Sequence, residues 1–204
     1  MAAAQGLASP SAALSPVNAS VRVDRPIVLV GMMGAGKSSI GRRLAARLGL
    51  PFRDADQEIE AAAGMPIAEI FDRFGEAHFR DGERRVIARL LAAGPSVIAT
   101  GGGAFMDPET RARVRDRALA VWLDASLDTL VARVGKRPGQ RPLLRGGDPR
   151  AQLAALAAVR NPVYAEAPVH VRSGPGPHEE TVEAILAALA EWQAARRAGR
   201  ERAR

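Results

Sequence analysis

The most specific chemistry in the chain is carried by Gly31-Met32-Met33-Gly34-Ala35-Gly36-Lys37-Ser38. These residues fit G-x-x-x-x-G-K-[ST] without exception. Glycines at these places let the backbone wrap closely and aim successive N–H groups at phosphate oxygens. In such a loop the lysine reaches the β- and γ-phosphates of a nucleotide, and the serine hydroxyl ligates Mg²⁺. Gly34, Ala35, Gly36, Lys37, Ser38 and Ser39 are therefore candidate nucleotide contacts, with Ser38 also a candidate metal ligand. A helix expected from about Lys37 adds the positive end of its dipole. The competing reading is a glycine-rich turn that binds nothing. It does not explain why a strand-like run, Ile27-Val28-Leu29-Val30, leads into the pattern and a helix-like periodicity leaves it. Alone, the loop indicates a nucleotide; it names neither a reaction nor an acceptor.

A second group of residues could supply the acceptor side. Asp54-Ala55-Asp56 closes the next expected strand. Carboxylates two apart on a strand project from one face, so Asp54 could stand near a magnesium ion and Asp56 near an acceptor hydroxyl. A D-x-D pair equally ends a strand in solvent or caps a helix. Further on come Gly75-Glu76-Ala77-His78-Phe79-Arg80-Asp81-Gly82-Glu83, then Gly101-Gly102-Gly103 directly after a strand. Arg141-Pro142-Leu143-Leu144 and Arg160-Asn161-Pro162-Val163-Tyr164 follow. A planar guanidinium grips a carboxylate with two parallel hydrogen bonds, which makes Arg80 and Arg160 candidate anion hooks. Each taken singly is as readily a surface ion-pair partner. Glu83 lies one helical turn from Arg80 and is placed to hold it. The side-chain-free Gly101, Gly102 and Gly103 permit close approach of backbone to a small polar ligand.

In this order and approximate spacing, the five motifs resemble shikimate kinase from about residue 26 to residue 190. The resemblance implies Mg²⁺-dependent transfer of the ATP γ-phosphoryl group to the 3-hydroxyl of shikimate, on the way to chorismate and the aromatic amino acids. It implies that Asp56 binds the acceptor hydroxyl and takes its proton, and that Asp54 serves the magnesium through water. Arg80 and Arg160 match the pair that grips the shikimate carboxylate, and Gly102 matches a backbone contact to substrate. Arg141 matches an arginine that closes over the phosphates, and Arg133 one that stacks on adenine. Lys136-Arg137-Pro138-Gly139-Gln140, ahead of Arg141, is slightly longer than the family pattern, and the adenine-side loop Ser173-Gly174-Pro175-Gly176-Pro177 is poorly specific.

Behind these residues stands an alternation of strands and helices. Strands are expected near 51–54, 96–100, 118–123 and 168–172 in addition to 27–30. Ile40, Leu44 and Leu48 recur at helical spacing after the phosphate loop, and Gly49 is a plausible stop. Pro66, Pro108 and Pro149 stand where first helical turns could begin, with Asp107 and Asp148 as caps ahead of two of them. A last helix is expected over about 178–195. The pattern predicts an α/β P-loop kinase fold, a five-stranded parallel sheet flanked by helices. Two inserts are expected, a substrate-binding segment at about 55–82 and a lid at about 135–147. The domain is expected over 25–195, between a disordered leader at 1–24, rich in Ala, Ser and Pro, and a basic tail at 196–204.

Composition narrows the function. The 204 residues fit one α/β domain. No apolar run reaches the roughly 18 residues a membrane span needs. There is no cysteine, and His78, His170 and His178 show no ligand spacing, which argues against disulfides and a zinc site. The net charge of +7 raises the question of nucleic acid, but residues 191–204 alone hold five arginines against two glutamates. A solvated helix end explains that tail. Lysine occurs only at Lys37 and Lys136 in a chain that otherwise writes arginine. The expected partners are ATP and shikimate, with no nucleic acid and no membrane, and the expected state is a cytoplasmic monomer. The rival readings are a gluconate or nucleoside-monophosphate kinase of the same fold, and a non-catalytic nucleotide- or nucleic-acid-binding protein.

Overall fold

A computed structural model describes residues 21–135 and 147–202. The apolar run Ile27–Val30 forms β1 and is buried along its whole length, as a central strand covered on both faces must be. It lies between β3 (Val97–Ala99) and β4 (Leu119–Asp124), pairing in parallel with both. β2 (Phe52–Asp54) and β5 (Val169–Arg172) occupy the edges, and the described residues give the order β2-β3-β1-β4-β5. The edge strand β5 alternates buried Val169 and Val171 with exposed His170 and Arg172, as expected where one face meets water.

Helices α1 (Lys37–Leu48), α2 (Ala55–Ala63), α3 (Ile67–Ala92), α4 (Pro108–Arg117), α5 (Leu127–Gly135), α6 (Pro149–Tyr164) and α7 (His178–Arg202) connect the strands. The α1 stripe buries Ile40 and Leu44 completely, so Leu44→Ala would cost about 2–5 kcal/mol. Gly49 ends α1 in the left-handed region, as expected. Asp107 and Asp148 cap α4 and α6, each followed by proline in the first turn. Pro66 precedes α3 rather than beginning it.

Three boundaries differ from the sequence reading. Gly75 (φ 79°, ψ 174°) breaks α3 into two stretches. α7 runs on to Arg202 and includes most of the basic tail, because Ala, Arg, Glu and Gln are strong helix formers that need no core to continue a turn. Residues 21–24, read as leader, lie against the domain. Val21 and Val23 pack on the core, the Arg22 backbone N–H donates to Gln193 Oε1 at 3.3 Å, and Gln193 Nε2 donates to the Arg22 carbonyl at 2.6 Å. The remainder of the leader and the lid motif with Arg141 fall outside the described residues.

Candidate active site

β1 and β3 are neighbours, yet the chain leaves their carboxyl ends in different directions. A crevice at such a switch point is where open α/β sheets bind ligands. The phosphate loop follows β1 and the triple glycine follows β3. Thr100 pins the second loop to the first strand, donating from its backbone N–H (3.3 Å) and its hydroxyl (3.0 Å) to the Leu29 carbonyl.

Gly36 caps α1 at φ 92°, a conformation that disfavours any side chain. Lys37 follows at 8% exposure, with Nζ donating to the carbonyls of Gly31 at 2.8 Å and Met32 at 2.9 Å. The ammonium is thus held over the loop that its stem leaves. Ser38 and Ser39 are exposed in the first turn. Arg133, on α5, reaches under the loop, where Nη1 donates to Gly34 O (3.3 Å), Ala35 O (3.2 Å) and Ser173 Oγ (3.0 Å), and Nη2 to Gly174 O. Its edges tie the phosphate loop to the 173–174 loop, and burial lowers its pKa.

His178, which had no assigned role, stands beside this loop. A Cβ placed on Gly36 would lie 3.3 Å from His178 Nε2 and 3.4 Å from Arg133 Nη1. Burial, then the charges of Arg133 and Arg43, hold the imidazole below its ordinary value, with Glu179 opposing. A lone histidine without ligand spacing gave little signal; its one clue was its place directly after the Pro/Gly-rich loop.

The acceptor side is a cleft of about 580 Å³ whose walls include Met33, Asp56, Arg80, Glu83, Gly101, Gly102, Gly103 and Arg160. It brings together the acceptor residues expected from the sequence, with one correction. Asp54 and Asp56 are not two positions on a strand. β2 stops at Asp54, whose carboxylate accepts from the Asp56 N–H at 3.2 Å and so caps α2, while Asp56 sits in the helix itself. The capping preference of aspartate prevailed over strand continuation. Asp56 faces the cleft by a different route, with Oδ1 2.8 Å from the position a Cβ on Gly101 would take.

Arg80 is fixed from two sides. Nη1 donates to Glu83 Oε2 at 2.6 Å, while Nε and Nη2 donate to Glu76 Oε1 at 3.2 and 3.0 Å. Burial works against its charge, but Glu83 and Glu76 outweigh it and hold the guanidinium above its ordinary value. Burial also pushes the Glu83 carboxyl up, with Arg80 pulling back and Asp56 and Asp107 adding to the rise. A Cβ on Gly103 would lie 2.6 Å from Arg80 Nη1, so only glycine leaves the guanidinium its place. Arg160, at 8% exposure, donates from Nη1 to the Gly102 carbonyl at 3.2 Å. Among the described residues no carboxylate forms an ion pair with it. A buried guanidinium opening on a cleft suits an anionic ligand that would complete its pairing.

A nearby cavity of about 490 Å³ between α2 and α3 is lined mainly by apolar side chains such as Ile59, Met65, Ile70 and Val86. It holds none of the phosphate-loop residues and neither Asp56 nor Arg160.

A phosphate loop at the switch point of a parallel sheet, facing a cleft with one carboxylate and two arginines, defines a P-loop phosphotransferase with a small acceptor. The model of the shikimate kinase family matches residues 33–190. The chain is 61% identical over 165 residues to the shikimate kinase of Caulobacter vibrioides, covering 81% of this chain and 82% of that protein. It is 56% identical over 175 residues to that of Novosphingobium aromaticivorans, covering 84% and 90%. A solved structure of the shikimate kinase from Acinetobacter baumannii in complex with shikimate superposes with a TM-score of 0.78 at 36% identity, covering 84% of this chain and 95% of that one. The chain belongs to the shikimate kinase family.

Proposed function

We propose that the protein transfers the γ-phosphoryl group of ATP to the 3-hydroxyl of shikimate, giving shikimate 3-phosphate and ADP, in aromatic amino-acid biosynthesis through chorismate. The observation that carries this reading is the convergence of Arg80 and Arg160 on one cleft with Asp56, beside the phosphate loop. Two guanidiniums suit the carboxylate of a small ring, and one carboxylate suits its hydroxyl. The Gly101, Gly102 and Gly103 backbone lines the same cleft and lets the ring approach closely.

In the reaction the 3-oxygen forms a bond to the γ-phosphorus and the bond from that phosphorus to the β–γ bridging oxygen breaks. The hydroxyl proton passes to Asp56, and ADP leaves with the bridging oxygen. Lys37 and the loop N–H groups offset phosphate charge, with Arg141 closing over the phosphates; the rate comes mainly from alignment and neutralisation. Arg133 binds on the adenine side.

Mg²⁺ enters with ATP. The donor set fits it, because the Ser38 hydroxyl is exposed at the start of α1 and the Asp54 carboxylate lies at the end of β2. Hard oxygen donors with one carboxylate, completed by phosphates and water, suit this ion. Among the described residues no cluster of three or more His, Cys, Asp or Glu side chains could hold a metal without the nucleotide. When bound, Mg²⁺ would neutralise phosphate charge, and the residues that would hold it are Ser38 through its hydroxyl and Asp54 through water.

A monomer is part of the same reading. ATP and shikimate are both small and dissolved, which supports a cytoplasmic location with neither nucleic acid nor membrane as partner. No described helix is long and apolar enough to cross a membrane. A coupled ADP-release assay with shikimate, gluconate and nucleoside monophosphates tests the reading. Turnover is expected with shikimate alone; ADP release with gluconate or a nucleotide and none with shikimate would overturn it.

A further inference from the structure

Tyr164 closes the Arg160–Tyr164 motif, and the reaction as written gives it no part. It is the one tyrosine in the chain. It ends α6, one helical turn after Arg160, and is 1% exposed. Its hydroxyl donates to the Gly102 carbonyl. The same carbonyl accepts from Arg160 Nη1 at 3.2 Å, which its two lone pairs permit. Guanidinium and phenol thus meet on one carbonyl oxygen. The Gly102 carbonyl is the joint between them. Gly102 also touches the phosphate loop, since a Cβ on it would lie 3.3 Å from Met33 N and 3.6 Å from Gly31 O. One glycine therefore meets the nucleotide loop on one side and the acceptor's anion hook on the other.

We propose that Tyr164 is a positioning residue, locking the Gly102 peptide and the Arg160 guanidinium into one unit that sets how far the acceptor stands from the transferring phosphate. The proposal rests on the reading of Arg160 as the grip on the acceptor carboxylate. A guanidinium presents five N–H donors in one rigid plane. Once one corner of that plane is committed to the Gly102 carbonyl, and the phenol holds that carbonyl from a second side, the direction of the free edge is set. Without the phenol, that carbonyl loses its second donor and is free to turn together with the guanidinium. Misplacement by about 1 Å at a reacting centre can cost about 10²-fold in rate.

A plainer account is that a buried phenol must find some acceptor and happens upon this carbonyl. That account predicts a stability loss with no preference for any acceptor group. Burial pushes the phenol up to about 12, with Arg160 pulling back. It stays a neutral donor at working pH, so the effect should not vary with pH.

The test compares wild type with Tyr164→Phe, which removes one oxygen. The acceptors are shikimate and an analogue carrying hydroxymethyl in place of the carboxylate. Tyr164→Phe should raise KM for shikimate about tenfold and lower kcat severalfold, leaving KM for ATP within about twofold. With the analogue the two proteins should perform within about twofold of each other. Adding Tyr164→Phe to Arg160→Lys should cost little more than Arg160→Lys alone. An unchanged shikimate KM, an equal penalty on both acceptors, or additive losses would overturn the proposal. Uniform 3-fluorotyrosine labelling places a ¹⁹F probe at Tyr164 alone, and it decides the matter should Tyr164→Phe not fold. Its resonance should shift on saturation with shikimate and not with the analogue; no shift with shikimate overturns the proposal. If wild type itself fails to phosphorylate shikimate, the proposed function falls. If wild type succeeds and Tyr164→Phe matches it, only this role falls.

Discussion

The phosphate-binding part of the nucleotide side is one unbroken stretch, Gly31–Ser38, running from the end of β1 into the first turn of α1. The acceptor side takes Asp56 from α2, Arg80 and Glu83 from α3, the triple glycine from the end of β3, and Arg160 from α6. The first presents mainly backbone N–H groups, which meet any nucleotide alike. The second presents charged side chains, Arg80 held by Glu76 and Glu83 and Arg160 by the Gly102 carbonyl, and under the proposed function these choose the acceptor. Donor chemistry can therefore be shared across a whole class of enzymes, while acceptor choice rests on contacts between distant parts of the chain.

The sharpest way to separate the two sides is Asp56→Asn, which keeps size and removes the base. It should lower kcat by about 10²–10⁴-fold while KM for ATP stays near wild type; steady-state kinetics with each substrate varied in turn will check this. Lys37→Ala should lower turnover by about 10²–10³-fold whatever the acceptor. Near-normal turnover by folded Lys37→Ala protein would break the assignment of the loop. Arg80→Lys keeps charge but loses the fork, so KM for shikimate should rise about tenfold and KM for ATP should not.

Glu83→Gln should raise the same KM by a smaller factor and flatten its pH dependence. Protonation of Glu83 releases Arg80, so in wild type KM should climb as pH falls through a range above the usual glutamate value. Stability should move the other way. A carboxyl raised in the folded state binds its proton more tightly there than in the unfolded chain. Its contribution is therefore largest at low pH and declines as pH rises from about 4.5 through the raised value. Thermal midpoints of wild type and Glu83→Gln between about pH 4 and pH 8 will show whether that slope disappears. On the nucleotide side, His178 gives the opposite slope. Its lowered pKa keeps it neutral when folded, so stability should fall as pH drops from about 6.5 toward the lowered value. His178→Gln should remove that fall.

The smallest effect is expected at the chain's beginning, away from both sides. Deleting residues 1–20 should leave kcat/KM within about twofold. Deleting through residue 24 removes the Val21 and Val23 packing and the Gln193 clamp on Arg22, and should cost about 1–3 kcal/mol on denaturant unfolding.

The same contrast explains what the sequence made legible. The phosphate loop was readable because its chemistry is local, as was the strand–helix alternation built on Ile27–Val30 and on Ile40 and Leu44. Asp56 was placed on the strand and lies in α2, because strand alternation and helix capping compete over the same two carboxylates and the capping alternative prevailed. The break at Gly75 was not foreseen, since a glycine inside a helical pattern can pass without disturbing it. The parts played by His178 and Tyr164 depend on partners far away in the chain, Gly36 and Gly102, which no local pattern reveals. Glu83 was found because its partner Arg80 lies one turn away.

Gly75 also divides the acceptor cleft between two stretches of helix. It severs the α3 ladder five residues before Arg80, leaving Arg80 and Glu83 on the stretch that buries Val86, Ile87 and Leu90 in the core. Ile67 and Phe71, on the near side of the break, form the opposite wall of the cleft. No helical hydrogen-bond ladder runs unbroken from that wall to the guanidinium, so the two are joined by packing, such as Phe71 on Phe79 with ring centroids 4.7 Å apart. Were that packing to yield when an acid arrives, a stationary charge would catch it first and a moving wall would enclose it afterwards. The capture rate would then follow ionic strength, and the rate of enclosure would follow solvent viscosity.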